Sequence, residues 1–262
     1  MRQVKSEVLF NRKVISGCFV MGLYCPEIAR SAEPGQFVHL RVEDREEPLL
    51  RRPFSIYRVE NEKIEILYKV VGRGTKILSR KRRGEKIDLL GPLGKGFKID
   101  STVKRLILVA GGVGVAPLYF LTSRWAIAKM REVIVFLGAE SKERLLCEEE
   151  FKGLGTKVKV ATENGSRGFK GLISDLFAKW LSSGQLLSES LICACGPLPM
   201  LRKIASLSKR SKAVCYVSLE QRMGCGIGAC RGCIIRGKNG YLRVCKDGPV
   251  FNAQDIDWNW MP

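Results

Sequence analysis

Along the first hundred residues, apolar positions come in short alternating runs: Val8-Leu9-Phe10, Cys18-Phe19-Val20-Met21, residues 37–42, Phe54-Ser55-Ile56-Tyr57 and residues 64–68. Turn formers such as Pro34-Gly35 and Glu60-Asn61-Glu62 separate them. Period-two alternation broken by turns predicts an antiparallel barrel or sandwich, interrupted by one helical stretch over 74–83.

After Lys104 the pattern changes. Strand-like runs at 105–110, 133–137, 158–161, 191–195 and 213–217 alternate with helix-like stretches at 118–130, 145–153, 173–181 and 199–208. Such alternation predicts a parallel sheet with helices on both faces. From Glu220 the chain becomes rich in glycine and cysteine and loses its periodicity, as a segment organised by a ligand rather than by a core would. The expected division is 1–100, 101–218 and 219–262.

Composition narrows the class. The chain has 262 residues, 45% hydrophobic and 27% charged, which sets aside disordered, collagenous and coiled-coil chains. Its longest uncharged apolar run, 106–121, is broken by Gly111, Gly112, Gly114 and Pro117 and falls short of the ~18–20 residues of a bilayer span. The start carries Arg2, Lys5, Glu7, Arg12 and Lys13 without a long apolar stretch, so no secretory signal is expected and the cytoplasm is. A net charge of +19 invites nucleic acid, a membrane surface or an acidic partner, and charge alone does not choose. The basic run Arg80-Lys81-Arg82-Arg83 has no interleaved aromatics, so a solvated helix end is the plainer reading than a nucleic-acid contact.

Four of the ten cysteines, Cys225, Cys230, Cys233 and Cys245, follow C-x4-C-x2-C-x11-C. The first three match the plant-type [2Fe–2S] loop, and the glycines among them allow tight turns and bring backbone N–H groups toward sulfur. Thiolates also suit zinc, and disulfides remain a third alternative; zinc sites more often pair two C-x2-C units, and only one is present. Of the other six, Cys195 stands out because Gly196-Pro197 follows it at a strand end.

A glycine turn, Gly111-Gly112-Val113-Gly114, follows an apolar strand and opens a helix containing Pro117, an arrangement that suits a pyrophosphate. It is not the G-x-G-x-x-G fingerprint, and no acidic residue stands clearly where a ribose partner is expected. Together with Arg52-Pro53-Phe54-Ser55, Gly72-Arg73-Gly74-Thr75 and Cys195-Gly196-Pro197, this turn makes the whole chain resemble the ferredoxin–NADP reductase family.

That resemblance implies an FAD-binding antiparallel β-barrel, then an NAD-binding α/β domain. It implies that Arg52 holds an FAD phosphate, that Ser55 lies near flavin N5 as a catalytic residue, and that Gly72, Gly74 and Thr75 receive the pyrophosphate. Pro53, Phe54, Leu67, Tyr68 and Lys69 are expected at the same cofactor; Phe54 stands where the family often has tyrosine and offers no hydroxyl. Gly111, Gly112, Gly114 and Pro117 are expected at NAD, with Cys195, Gly196 and Pro197 beside the nicotinamide and Cys195 catalytic. The loop Thr162-Glu163-Asn164-Gly165-Ser166, with Gly168 and Gly171, is similar to a further family loop on the same sheet edge.

Within that family, Leu50-Arg51-Arg52-Pro53-Phe54-Ser55-Ile56, residues 223–230 and residues 243–251 are most similar to the electron-transfer subunits of NAD-dependent, class B dihydroorotate dehydrogenases, which also carry a small C-terminal [2Fe–2S] subdomain. The implied activity joins two-electron hydride exchange at NAD to one-electron traffic through the cluster. The implied partner is an FMN-containing catalytic subunit, in a heterotetramer of two each. A flavin/iron–sulfur subunit of a ferredoxin:NADP oxidoreductase, hydrogenase or sulfur-reducing complex, and a non-enzymatic electron carrier, stay open. His39, the single histidine, reads as packed or hydrogen-bonded structure, and Trp258 and Trp260 as ordinary packing.

Overall fold

The computed structural model describes residues 1–43, 48–129, 132–184 and 187–260. Six strands close an antiparallel barrel in the order β1-β2-β5-β4-β3-β6: β1 (Arg2–Ile15), β2 (Cys18–Tyr24), β3 (Phe37–Arg41), β4 (Arg52–Glu60), β5 (Lys63–Lys69) and β6 (Lys86–Leu93). Alternation sends Val38, Leu40, Ile56, Ile64, Ile66 and Leu89 into the barrel core. A four-residue helix, α1 (Pro26–Ala29), precedes β3.

The helix α2 (Arg73–Leu78) is shorter than the 74–83 expected. The Asn11 side-chain amide donates to the carbonyls of Leu78 and Lys81 at 2.9 and 3.1 Å, which caps the helix early. The basic run therefore lies in the following turn, where Lys81 pairs with Glu85 at 3.2 Å.

The second unit is a seven-stranded sheet, β10-β9-β8-β7-β11-β12-β15. Its parallel strands are β7 (Arg105–Gly111), β8 (Glu132–Ala139), β9 (Lys157–Thr162), β10 (Phe169–Lys170), β11 (Ser190–Cys195) and β12 (Val214–Ser218). Between them run α3 (Val115–Lys129), α4 (Glu148–Gly153), α5 (Ile173–Ser182) and α6 (Leu198–Arg210). The end of the helical stretch expected at 118–130, Met130, lies outside the described residues.

The C-terminal segment differs from the purely ligand-organised stretch its composition suggests. A hairpin, β13 (Ile234–Gly237) and β14 (Gly240–Arg243), is followed by β15 (Val250–Asn252), which joins β12 antiparallel, so the sheet is mixed at that edge. Ile235, Val244, Phe251 and Ile256 are buried in the same core cluster as Phe136 and Phe177 of the sheet. Trp258 packs there as expected, its indole N–H donating to the Ala253 carbonyl at 2.8 Å.

Barrel and sheet share side chains through α3. Phe120 is fully buried within the barrel's core cluster, while Tyr119 packs on Tyr57 and its hydroxyl accepts from Arg58 at 3.0 Å. Phe120→Ala is expected to cost about 3–5 kcal/mol; a urea-melt midpoint unchanged from wild type would show that the plug contributes nothing.

Candidate functional site

The strand β4 opens with the sequence Arg52-Pro53-Phe54-Ser55 and lines a cavity of about 880 Å³ with Leu67, Tyr68 and Lys69 of β5 and with Thr75. Two adjacent arginines divide the work. Arg51 pairs with Asp88 at 2.6 Å and donates to the carbonyls of His39 and Asp88, so it is structural. Among the described residues Arg52 has no carboxylate partner of that kind; its guanidinium rests on the Leu50 carbonyl and against Gly74, where a Cβ would stand 3.1 Å from Nε.

Thr75 behaves differently from a ligand donor. Its hydroxyl oxygen accepts the N–H groups of Val71 and Gly72 at 2.9 and 3.1 Å and donates to the Gly72 carbonyl, so the side chain closes its own turn. Phe54 meets Tyr68 edge-on at 5.6 Å, and the Tyr68 hydroxyl donates to Asn11.

A second cavity, of about 470 Å³, opens at the carboxyl ends of β7, β8 and β9, lined by Gly111, Gly112, Gly138, Glu140, Glu163 and Pro197. Here glycine is required by close approach. A Cβ at Gly114 would stand 2.3 Å from the Cys195 carbonyl oxygen, and one at Gly111 would stand 2.8 Å from Pro197 Cδ. The glycine turn and the Cys195-Gly196-Pro197 strip are thus packed backbone to backbone.

The Cys195 thiol is another matter. It is 2% exposed, lies outside both cavity walls, and burial pushes it above the usual thiol range beside the Ser218 hydroxyl. The Ser218 hydroxyl beside it lines the larger cavity. Pro117 and Gly114, like Cys195, lie outside the walls of both cavities.

The two cavities share Val113 and Lys69. The chain from 218 to 223 forms part of the wall of the larger one, leading directly to the cysteine loop.

The four cysteines stand as two pairs. The Cys230 N–H donates to Cys225 Sγ at 3.4 Å, and the Cys245 N–H donates to Cys233 Sγ at 3.4 Å. Among the described residues no three His, Cys, Asp or Glu side chains gather as for one metal ion. Two thiolates for each of two metals is the demand of a [2Fe–2S] cluster, whereas zinc wants four about one point. Burial raises Cys225, yet the N–H groups of Cys230, Ile227 and Ala229 outweigh it and hold the thiol down to about 6. Cys245 is pushed up to about 12 by burial and by Cys233. All ten thiols are free, so no disulfide competes.

Two family models match the chain. One, described as the iron-sulfur cluster binding domain of dihydroorotate dehydrogenase B, covers residues 220–257; the other, an oxidoreductase NAD-binding domain, covers 108–206. The chain is 38% identical over 259 residues to the electron transfer subunit of dihydroorotate dehydrogenase B (NAD(+)) from Desulforamulus reducens, spanning 97% of each. It is 41% identical over 266 residues to that of Bacillus cereus strain G9842, spanning 98% of this chain and 99% of the relative. The chain belongs to this family of electron-transfer subunits.

Among solved structures, an NADH-dependent reduced ferredoxin–NADP oxidoreductase studied for electron bifurcation is similar with TM-score 0.88 at 29% identity, over 98% of this chain and 91% of that one. A ferredoxin–NADP+ reductase from Neisseria gonorrhoeae, 17% identical with TM-score 0.67 over 80% and 92%, shares the fold. No helix among the described residues of this electron-transfer subunit is long and apolar enough to cross a membrane.

Sequence reasoning gave no role to Glu140 or Glu220 and named Glu163 only as a member of the 162–166 loop. Glu140 follows β8 and Glu163 follows β9; the Glu163 N–H donates to the Ala139 carbonyl at 3.1 Å, which brings both to one rim. Glu220 lines the larger cavity, and desolvation lifts its carboxyl above the usual carboxylate range. Gly114→Ala in this subunit should weaken NADH binding about tenfold or more, because the turn must move off the Cys195 carbonyl. Titration of the FAD-loaded protein with NADH checks it, and an unchanged Kd rejects the packing argument.

Proposed function

We propose that this subunit passes electrons between NAD+ and the FMN of a dihydroorotate dehydrogenase catalytic subunit in pyrimidine biosynthesis, through FAD and a [2Fe–2S] cluster. The observation that carries the reading is spatial: the two cavities share a wall, and the segment leading into the paired cysteines closes the larger of them. When bound, FAD exchanges a hydride with nicotinamide and single electrons with the cluster.

The chain's residues supply position and charge. Arg52 offers a guanidinium fork to an FAD phosphate, Gly72, Gly74 and Thr75 shape the turn beside it, and Pro53, Phe54, Leu67, Tyr68 and Lys69 hold the ring system, with Ser55 near flavin N5. Gly111, Gly112, Gly114, Gly196 and Pro197 form the nucleotide turn, and Cys195 and Pro117 support it from behind. Cys225 with Cys230 and Cys233 with Cys245 each hold one iron. We divide the chain as 1–100, 101–218 and 219–262 for FAD, NAD and cluster, and place it in the cytoplasm.

The partner approaches where the cluster loop is exposed, at Ile227 and Cys230. Dihydroorotate chemistry belongs to that FMN-bearing subunit, in an assembly of two copies of each. With those groups bound, current would run from its flavin through the cluster and FAD to NAD+. The likeness to the ferredoxin–NADP oxidoreductase supports a second reading, in which the partner is a subunit of such a complex.

Glu140 and Glu163 favour NAD+ over NADP+. A carboxylate accepts from a ribose 2′-hydroxyl and repels a 2′-phosphate. Of the three cations among the described residues on the same cavity wall, Lys203 is engaged with Asp175 and Arg144 with the Ser16 carbonyl, while Lys69 lies where the two cavities meet.

Co-expression with an FMN-containing dihydroorotate dehydrogenase should yield a complex that forms NADH from dihydroorotate. Cys230→Ser should abolish that activity and the [2Fe–2S] EPR signal while sparing FAD and NADH-dependent dye reduction. An unchanged EPR signal removes Cys230 from the ligand set, and recovery only with a ferredoxin oxidoreductase partner favours the second reading. The pair Glu140→Gln with Glu163→Gln should narrow the preference for NADH over NADPH about tenfold, read as the ratio of kcat/KM values; an unaltered ratio assigns selectivity to other residues.

A further inference from the structure

His39 is fully buried, and among the described residues neither ring nitrogen has a hydrogen-bond partner of normal geometry. A buried unpaired polar group is costly, and an apolar side chain of similar size would avoid that cost. The position of the ring gives the cost a context. In β3, His39 lies directly across from Pro53 of β4, which lines the larger cavity. While Val38 and Leu40 on either side point into the barrel core, His39 meets the cysteine loop: a Cβ on Gly226 would stand 2.4 Å from its Nδ1 and 3.2 Å from its Cε1. The backbone of Arg51 and that of Cys225 both come close enough to interact with the imidazole. One ring thus fills the space between the strand proposed to hold flavin and the peptide of the first cluster cysteine.

We propose that His39 is a positioning residue between the two cofactors, whose single ring N–H is offered to the Cys225 peptide and fixes the cluster loop against the flavin-binding strand. This rests on Cys225 being a cluster ligand. Gly226 belongs to the same device: its φ of +73° and its lack of a side chain let the loop lie against the Nδ1 side of the imidazole. An imidazole suits the place because it is rigid, fills an aromatic-sized gap and still carries a donor.

The test uses the full chain with its own FAD and cluster, without a partner subunit, so it does not depend on the identity of that partner. His39→Leu removes the donor and keeps the bulk; His39→Asn keeps an N–H near the place of Nδ1. Iron, sulfide and FAD contents are measured first, then the EPR spectrum of the reduced cluster and the distribution of electrons between flavin and cluster in a redox titration. His39→Leu should load both cofactors, alter the cluster g-values and change that distribution about fivefold, the effect of one hydrogen bond. His39→Asn should move both readouts back toward wild type.

Wild-type spectra and distribution in His39→Leu overturn the proposal. So do equal changes in the leucine and asparagine variants, which would make the ring a space-filler. If His39→Leu fails to load the cluster, His39→Asn decides: a loaded cluster with a near-wild-type signal supports the donor role, and equal failure overturns it. Loss of the cluster in Cys230→Ser is independent of all these outcomes, so the ligand assignment and the role of His39 fail separately.

Discussion

The placement of the cysteine segment depends on three residue pairs at a sheet edge, Tyr216 with Asn252, Val217 with Phe251 and Ser218 with Val250. Because β15 returns antiparallel to β12, everything between them must form a loop that starts and ends at one place. The Leu219 N–H donates to the Pro249 carbonyl at 2.9 Å and closes the return, and the Lys95 N–H, just past β6, donates to the Gly248 carbonyl at 2.6 Å and ties that place to the barrel as well. The loop is therefore anchored to both larger units. Glu220 and Met223 can wall the flavin-sized cavity only because of this return. Without it, the four cysteines would have a plausible spacing and no fixed distance to anything.

A second constraint acts at the other end of the same cavity. The glycine turn after β7 and the strip after β11 approach so closely that no side chain fits between them. This contact lets adjacent parallel strands end at one level and leaves their peptide groups facing a common hollow. Buried Cys195 and Pro117 then read as the filling behind a surface made of backbone. Ser218, beside the Cys195 sulfur, reaches the larger cavity.

Much of this was legible in the sequence, for identifiable reasons. Barrel strands alternate because one face is buried, and the period survives in runs such as 37–42 and 64–68. The cysteine spacing and the glycine turn are local features, so they can be read without a fold. What escaped depends on contacts between distant segments. Three residues of β15 are too few to show a period, and its pairing with β12 is invisible until the loop is closed. Glu140 and Glu163 meet because β8 and β9 are neighbours, which no single segment reveals. Helix α2 stops at Leu78 because Asn11, on a different strand, takes its terminal carbonyls. His39 looked like an ordinary strand residue because Gly226, which lies against it, belongs to the last segment of the chain.

The wall formed by Val113 and Lys69 has a thermodynamic consequence. Ligands seated in the two cavities would meet the same two side chains, so that the binding of one can shape the site of the other. Any free energy that a seated flavin adds to nucleotide binding must be returned in full as tighter flavin retention when nucleotide is present. Whatever coupling the partition carries is therefore read equally at either site, in nucleotide affinity or in flavin retention.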